Sequence, residues 1–435
     1  MPRLLLVLPS PTRRHLYRIK LAKTVFPPLG LLTVAAHTPP DFDIRLVDES
    51  VHRLDYALPV DLVAISANTA SAPRAYEVAS EFRRRGAQVV IGGIHATALP
   101  EEALQYADTV GVGEAEGYWA KLCRDFCDGK LQPIYRNEEL PSLDHLPLPR
   151  RDLINPKDYH LPRTIQTSRG CPFRCTFCSV HKFFGGRYRL RPVGQVIEEV
   201  KLTPGKSPLI FVDDNIFADR ERSLELFAAL EPLQESWFGQ VSMVNLQDED
   251  FLHRAGQSGC RMVFVGLETL SADNLKDINK QFNKPDQVKE TIARCHRHGI
   301  GVIGAFIVGL DHDDISVFEH IVDFAMDAQL DLVQIAIRIP IPGTDDSAAL
   351  APRIFDPHYE RRDGTRAVFF HEHIHPPILL EEKLQWAYQQ IYCKQGIRRR
   401  LSGHDGPYMK VSRIVNKGFA LRASRWLRRL SLGFS

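Results

Sequence analysis

Eight consecutive residues, Cys171-Pro-Phe-Arg-Cys175-Thr-Phe-Cys178, carry three thiols on one short stretch in a C-x3-C-x2-C pattern. Thiolates are the ligands of iron–sulfur clusters. Three of them on a four-iron cluster leave one iron open for a small molecule. A structural zinc site would be closed by a fourth ligand in a tetrahedral array. His181 is the residue in reach, and it gives C-x3-C-x2-C-x2-H, which is not a usual zinc spacing. The pattern therefore favours a cluster with an open iron.

Small residues form a second set of candidates. Ser66-Ala-Asn-Thr69, Gly92-Gly93-Ile-His95-Ala-Thr97 and Gly111-Val-Gly113-Glu114 each follow or end a short apolar run. Such positions let backbone approach a bulky ligand closely. A third candidate is His371-Glu-His-Ile-His375. As a strand it would put three imidazoles on one face, which suits a metal; as a polar strand or loop of a C-terminal cap it needs no ligand. Cys123, Cys127, Cys260, Cys295 and Cys393 are scattered and fit buried thiols better than a second cluster.

These residues need a frame. Residues 1–130 alternate short apolar runs (Leu4–Leu8, Ile44–Val47, Leu62–Ile65, Gln88–Ile91, Thr109–Val112) with amphipathic stretches such as Pro73–Arg85. That alternation predicts an α/β domain with a doubly wound, Rossmann-like parallel sheet, whose ligands bind at the carboxyl ends of the strands. Residues 131–162 are rich in proline and predict a linker. From 163 to 345 the alternation resumes, with strands expected at Thr164–Thr167, Leu209–Val212, Gln240–Val244, Met262–Val265, Gly301–Val308 and Leu332–Ile337. Six units predict a partial (β/α)6 barrel with its active groups at the C-terminal strand ends. The cysteine loop follows the first of these strands. Residues 346–435 predict a small, mainly helical cap and tail.

The chain as a whole is unremarkable in composition. Its 435 residues carry a net charge of +2, with 44% apolar and 25% charged residues. Bulk charge therefore points to no partner, and no nucleic acid is expected. Eight cysteines are too sparse for a disulfide framework. No signal peptide and no membrane-length apolar run is evident. The expectation is a cytoplasmic protein. From Lys394 onward, eleven lysines and arginines face one acid, Asp405. Phe419, Ala423, Trp426, Leu427, Leu430 and Phe434 recur there at helical spacing. That pattern suits peripheral contact of residues 410–435 with the inner membrane face, and equally a last helix packed on the barrel. RNA binding by these arginines is the weaker third reading.

Residues 164–345 resemble the radical S-adenosylmethionine superfamily. Beyond the three cysteines, the matching pieces in barrel order are Phe211-Val-Asp-Asp-Asn215, Val265-Gly-Leu-Glu268, Gly304-Ala-Phe-Ile-Val-Gly309 and Ile341-Pro-Gly-Thr344. The resemblance implies a [4Fe–4S] cluster on Cys171, Cys175 and Cys178. It also implies S-adenosylmethionine held near Phe177, Asp213, Asp214, Glu268, Gly304 and Phe306. The second-strand motif of the family is more usually Gly-Gly-Glu.

The first domain is similar to the cobalamin-binding domain that precedes this barrel in one branch of the superfamily. The similarity implies cobalamin contacts from Pro28, Leu29, Gly30, Ser66, Thr69, Gly92, Gly93, His95, Thr97, Gly113 and Glu114. The chain has no Asp-x-His-x-x-Gly string, so it implies cobalamin without a histidine ligand; His95 is expected to pack or hydrogen-bond.

The resemblance implies a C-methyltransferase that acts on an unactivated carbon through a 5′-deoxyadenosyl radical and methylcobalamin. An external one-electron reductant would feed the cluster, and the substrate would be a small molecule, with lipids and other hydrophobic compounds included. One alternative is a cyclase or carbon-skeleton rearrangement enzyme without net methyl transfer. Another is a non-catalytic iron–sulfur or electron-transfer protein. No side chain is assigned as a catalytic acid or base, because hydrogen abstraction needs none and the cofactors carry the chemistry.

Overall fold

The computed structural model describes residues 1–10 and 24–420, apart from positions 404, 410, 411, 414 and 419. The apolar stripe expected on the tail, from Phe419 to Phe434, lies outside the described residues.

The first sheet is parallel throughout. Its strands are β1 (Arg3–Leu8), β2 (Asp43–Asp48), β3 (Leu62–Ser66), β4 (Gln88–Gly92), β5 (Thr109–Val112) and β6 (Ile134–Arg136), in the order β2-β1-β3-β4-β5-β6. The chain winds outward from β1 in both directions, which makes the sheet doubly wound. Its strands are apolar on both faces because helices cover both. Leu5, Val7, Val63 and Ile65 pack on one side with helix Ala72–Arg84. Leu4, Leu6, Leu62 and Ala64 pack on the other, with helices Leu29–Ala36 and Trp119–Cys127. The two-residue period of a strand makes this division.

All five expected strands are present, and a sixth comes from the segment predicted to be a linker. β6 pairs with β5 through Val110, Gly111 and Val112, and its Tyr135 is buried in the first core. Three residues are too short to show a period, and the neighbouring prolines hide the strand. Further on, Tyr159 bridges to Thr24 and Asp158 accepts from His52 Nε2 at 3.0 Å. Residues 131–162 therefore touch both halves: these contacts are to the first domain, while Arg151 Nη2 lies 2.8 Å from Glu199 Oε1 and Pro141 O accepts from Arg189 Nη1 at 2.6 Å.

The second sheet has six parallel strands in chain order: β7 (Thr164–Ile165), β10 (Leu209–Phe211), β11 (Trp237–Val241), β12 (Cys260–Glu268), β13 (Gly301–Val308) and β14 (Leu332–Ile337). β7 and β14 do not pair, so the barrel is open. A two-stranded antiparallel ribbon, β8 (Ser168–Arg169) with β9 (Arg189–Leu190), encloses the cysteine loop. β11 begins three residues earlier than expected and ends at Val241; Met243–Leu246 form a 3-10 turn instead. Trp237 anchors the true start, fully buried with its Nε1 donating to Ser258 O at 3.0 Å.

The edge of β14 is closed by side chains rather than by a strand. Helix Ile378–Tyr392 lays Tyr388 and Tyr392 along it. Tyr392 Oη accepts from Val333 N–H at 3.0 Å and donates to Val333 O at 2.7 Å. Tyr388 Oη does the same for Ile335, at 3.0 and 3.2 Å. One of the eleven basic residues of the tail, Arg400, is fully buried and bonds Leu330 O, Asp331 O, Ile391 O and Asn416 Oδ1; it holds the cap to the barrel. Among the described residues no helix is long and apolar enough to cross a membrane.

Candidate active site at the domain junction

The cysteine loop leaves β8 through Gly170, whose φ of +87° and close approach to Arg187 O exclude a side chain. The three thiols are unpaired; Cys175 is buried, and Cys171 and Cys178 are half-buried. Burial raises all three thiol pKa values, to about 11 for Cys175 and about 12 for Cys178, and the neighbouring thiolates add to the rise at both. Thiols that repel one another's charge in a dry loop are a donor set for a cationic group.

Among the described residues, no group of three His, Cys, Asp or Glu side chains is drawn together closely enough to hold a single metal ion. A tetrahedral zinc site gathers its sulfurs about 2.3 Å from one point. Cys171, Cys175 and Cys178 share one loop, and they are the residues that would hold a [4Fe–4S] cluster.

The loop is fastened from behind. Thr176 N–H donates to Ile278 O at 3.2 Å, and Asn279 Nδ2 donates to Arg174 O at 2.8 Å. Phe173 stacks on Phe282 at 4.0 Å. Phe177 packs against the buried cluster of Leu275, Ile278 and Leu310.

The two aspartates after β10 divide their work. Asp213 is buried and accepts from Thr167 N–H (3.0 Å), Thr167 Oγ1 (2.9 Å) and Ser168 Oγ (2.5 Å). It pins the β7–β8 corner. Asp214 accepts from Gly170 N–H at 3.1 Å, and burial pushes its pKa up to about 6. It is the acid with an oxygen left for a ligand. Glu268 ends β12 with φ +63°, and its Oε1 lies 2.6 Å from Lys280 Nζ. Lys280 went unnoticed in the sequence, where it is one of many lysines; only the turn after helix Ala272–Asp277 folds it inward.

Gly304 and Phe306 both belong to β13. Both lie on the face of β13 that meets the helices. A Cβ at Gly304 would stand 2.8 Å from Leu330 Cδ1, and Phe306 is 1% exposed, with its ring 6.2 Å from that of Phe324. The strand period puts Ile307 on the other face, where it packs, as Phe177 does, against the cluster of Leu275, Ile278 and Leu310.

At the carboxyl ends of the first sheet lies a cavity of about 220 Å³. Gly30, Ser66, Gly92, Gly93, Gly113 and Glu114 line it. Gly93 has φ +95°, and a Cβ there would meet Ala67 O at 2.7 Å, so backbone reaches the cavity wall directly. This bare glycine cradle beside apolar walls fits a large planar group such as a corrinoid.

Pro28, Leu29, Thr69, His95 and Thr97 are not among the residues that line this cavity. Pro28 caps helix Leu29–Ala36, and Thr69 is buried in a 3-10 turn. Thr97 Oγ1 accepts from Gly113 N–H at 2.9 Å, which holds the glycine loop. His95 is 1% exposed; its Nε2 lies 3.1 Å from Tyr76 Oη and 3.3 Å from Glu102 Oε1, and its ring meets Tyr359 edge-on at 4.7 Å. Its role here is packing between the first domain and the cap.

The cavity's far side is built by the barrel, which the sequence did not reveal. Gln166, Arg169, Phe183 and Phe184 complete the lining. Arg169 Nη1 lies 2.5 Å from Glu114 Oε2, its Nη2 bonds Glu116, and its Nε donates to Gln166 Oε1 at 2.9 Å. Arg189, its cross-strand neighbour, takes the other Glu114 oxygen.

The histidine cluster does not gather a metal. His371 is buried with its Nδ1 2.8 Å from Gly309 O, whereas His375 is bonded to Glu372 O at the surface. The segment is irregular rather than a strand, so the three rings share no face.

Two family profiles match the chain: the B12 binding domain over residues 18–122 and the Radical SAM superfamily over residues 165–325. A bacteriochlorophyllide d C-12(1)-methyltransferase of Chlorobaculum tepidum is 29% identical over 392 residues, covering 86% of this chain and 85% of that protein. An uncharacterised methyltransferase of Pyrococcus horikoshii is 30% identical, covering 79% and 82%. The solved structure of the radical S-adenosylmethionine methyltransferase TsrM from Kitasatospora setae, with cobalamin and a [4Fe–4S] cluster, superposes with a TM-score of 0.68 at 16% identity, over 98% of this chain and 100% of that one.

Proposed function

Because the chain belongs to the cobalamin-binding methyltransferases of the radical S-adenosylmethionine superfamily, we propose that it methylates an unactivated carbon of an apolar, ring-bearing small molecule at the junction of its two domains. The observation that carries this is the shared cavity, with glycine loops on one wall and Gln166, Arg169, Phe183 and Phe184 of the barrel on the other. When bound, the cluster with S-adenosylmethionine supplies the radical and the corrinoid supplies the methyl group.

The chain's own residues do the placing. Cys171, Cys175 and Cys178 hold the cluster at the mouth of the barrel. Asp214, with a free oxygen beside Gly170, receives the ammonium of S-adenosylmethionine. Glu114 and Arg169 fix the corrinoid wall against the cysteine loop. Phe183 and Phe184 keep water from the gap where substrate enters.

A tetrapyrrole is the first substrate class to test, since the Chlorobaculum relative is named for one. The reconstituted protein is incubated without oxygen with cobalamin, a reductant, S-adenosylmethionine and bacteriochlorophyllide d. A product heavier by one methylene unit supports the reading. 5′-Deoxyadenosine formed alongside a product of unchanged mass refutes methyl transfer.

A further inference from the structure

Tyr118 is buried in the first core, 7% exposed, and its hydroxyl has no hydrogen-bond partner among the described residues. Burial raises the pKa of the phenol, so Oη keeps its proton and remains a donor. Buried tyrosine hydroxyls ordinarily find a partner. This one belongs to a residue that lines the cavity at the carboxyl ends of the first sheet.

The sheet leaves a place for it. Tyr118 stands at the start of helix Trp119–Cys127, and its ring reaches back over the strands. A Cβ at Gly111 would lie 2.2 Å from Oη, and one at Gly92 would lie 3.9 Å from it. Only glycine at 111 leaves the hydroxyl where it is. Below that level the cavity continues along the same face of the sheet to Ala64 and Val90, which are paired across β3 and β4. These two lie two residues before Ser66 and Gly92, a depth of about 7 Å along the strands. Leu31, Val34 and Trp119, from the helices that cover this face, complete the lining there. The deep arm is thus an apolar slot with a phenol O–H at its mouth.

Such a slot suits a flat apolar ring that carries a hydrogen-bond acceptor. The amide side chains of cobalamin bear donors as well as acceptors, and its phosphate bears a charge; both are costly to bury between apolar walls. Its benzimidazole base is an apolar ring with one lone-pair nitrogen. We propose that Tyr118 is a specificity-determining residue for the corrinoid: its Oη donates a hydrogen bond to the ring nitrogen of the benzimidazole base, and so favours cobalamin over a corrinoid without that base. The inference rests on the first domain binding a corrinoid, which the visible spectrum of the loaded protein checks separately.

The test titrates the full chain, freed of corrinoid, with cobalamin and with cobinamide, which keeps the corrin ring and lacks the base. Binding is read from the visible spectrum. Wild type is expected to bind cobalamin more tightly. Tyr118→Phe is expected to weaken cobalamin binding about two- to tenfold, the loss of one neutral hydrogen bond, and to leave cobinamide binding unchanged. Unchanged cobalamin affinity, or an equal loss for both corrinoids, overturns the proposal. If Tyr118→Phe does not fold, Gly111→Ala decides, because its methyl displaces the hydroxyl: a loss confined to cobalamin supports the assignment, and no loss or an equal loss overturns it. A wild type that binds neither corrinoid overturns the reading of the first domain, and this proposal with it.

Discussion

Glu114 and Arg169, 2.5 Å apart, join the two halves of the site. Glu114 closes the last glycine loop of the first sheet, and Arg169 stands two residues before Cys171. Both side chains are more than nine-tenths buried. The corrinoid cavity and the cluster loop are therefore bonded to each other and not merely adjacent.

Replacing Glu114 with Gln leaves Arg169 and Arg189 buried against a neutral amide. Breaking a buried pair by removing one partner costs about 3–5 kcal/mol. The expected outcome is a lower thermal midpoint and loss of most bound cobalamin, read from the visible spectrum after gel filtration. Wild-type cobalamin retention would show that the junction does not shape the cavity.

Gly93→Ala puts a side chain at φ +95° and against Ala67 O. Backbone strain of this kind costs about 1–3 kcal/mol, and relief requires the Gly93 loop to shift away from Ala67. Cobalamin binding should weaken at least tenfold in a spectral titration, while iron content of the reconstituted cluster stays at the wild-type level.

Much of the frame was legible because it depends on period and order. Every strand of the first sheet but β6 shows its apolar run, and so do the barrel strands, with β11 shifted by three residues. The cysteine loop was visible through spacing alone. Hidden features were those made by contacts between distant segments. Arg169, Gln166, Phe183 and Phe184 look like ordinary loop residues until the domains meet, and Lys280 looks like a surface lysine until the turn after helix Ala272–Asp277 folds it inward. Gly304 and Phe306 show a different limit. A motif fixes the strand but not its facing, and side chains one residue apart on a strand point to opposite faces.

His371 should make stability depend on pH. Burial lowers its pKa to about 4, below the 6.5 of an unfolded histidine. Between those values the unfolded chain binds the proton and the folded chain does not, so stability falls as pH falls. From pH 7.5 to 5.5 the loss is roughly 1 kcal/mol. Denaturant midpoints of His371→Phe, measured at both pH values, should differ less than those of wild type by about this amount.

Tyr392→Phe removes the hydroxyl that serves both Val333 N–H and Val333 O. A buried polar group left unpaired costs about 1–3 kcal/mol. Hydrogen exchange at Val333 should accelerate in the variant, while Ile335, held by Tyr388, stays protected.

The central claim is methyl transfer by cluster, S-adenosylmethionine and cobalamin acting across one junction. Its most direct test is to incubate the reconstituted protein with S-adenosylmethionine bearing a trideuterated methyl group, a reductant and either bacteriochlorophyllide d or an extract of the host cell. The predicted result is a product that carries the intact deuterated methyl on carbon, formed together with 5′-deoxyadenosine, and abolished by omitting cobalamin or by Cys175→Ala. Label-free product, or labelled product that forms equally well without cobalamin or without Cys175, would contradict it.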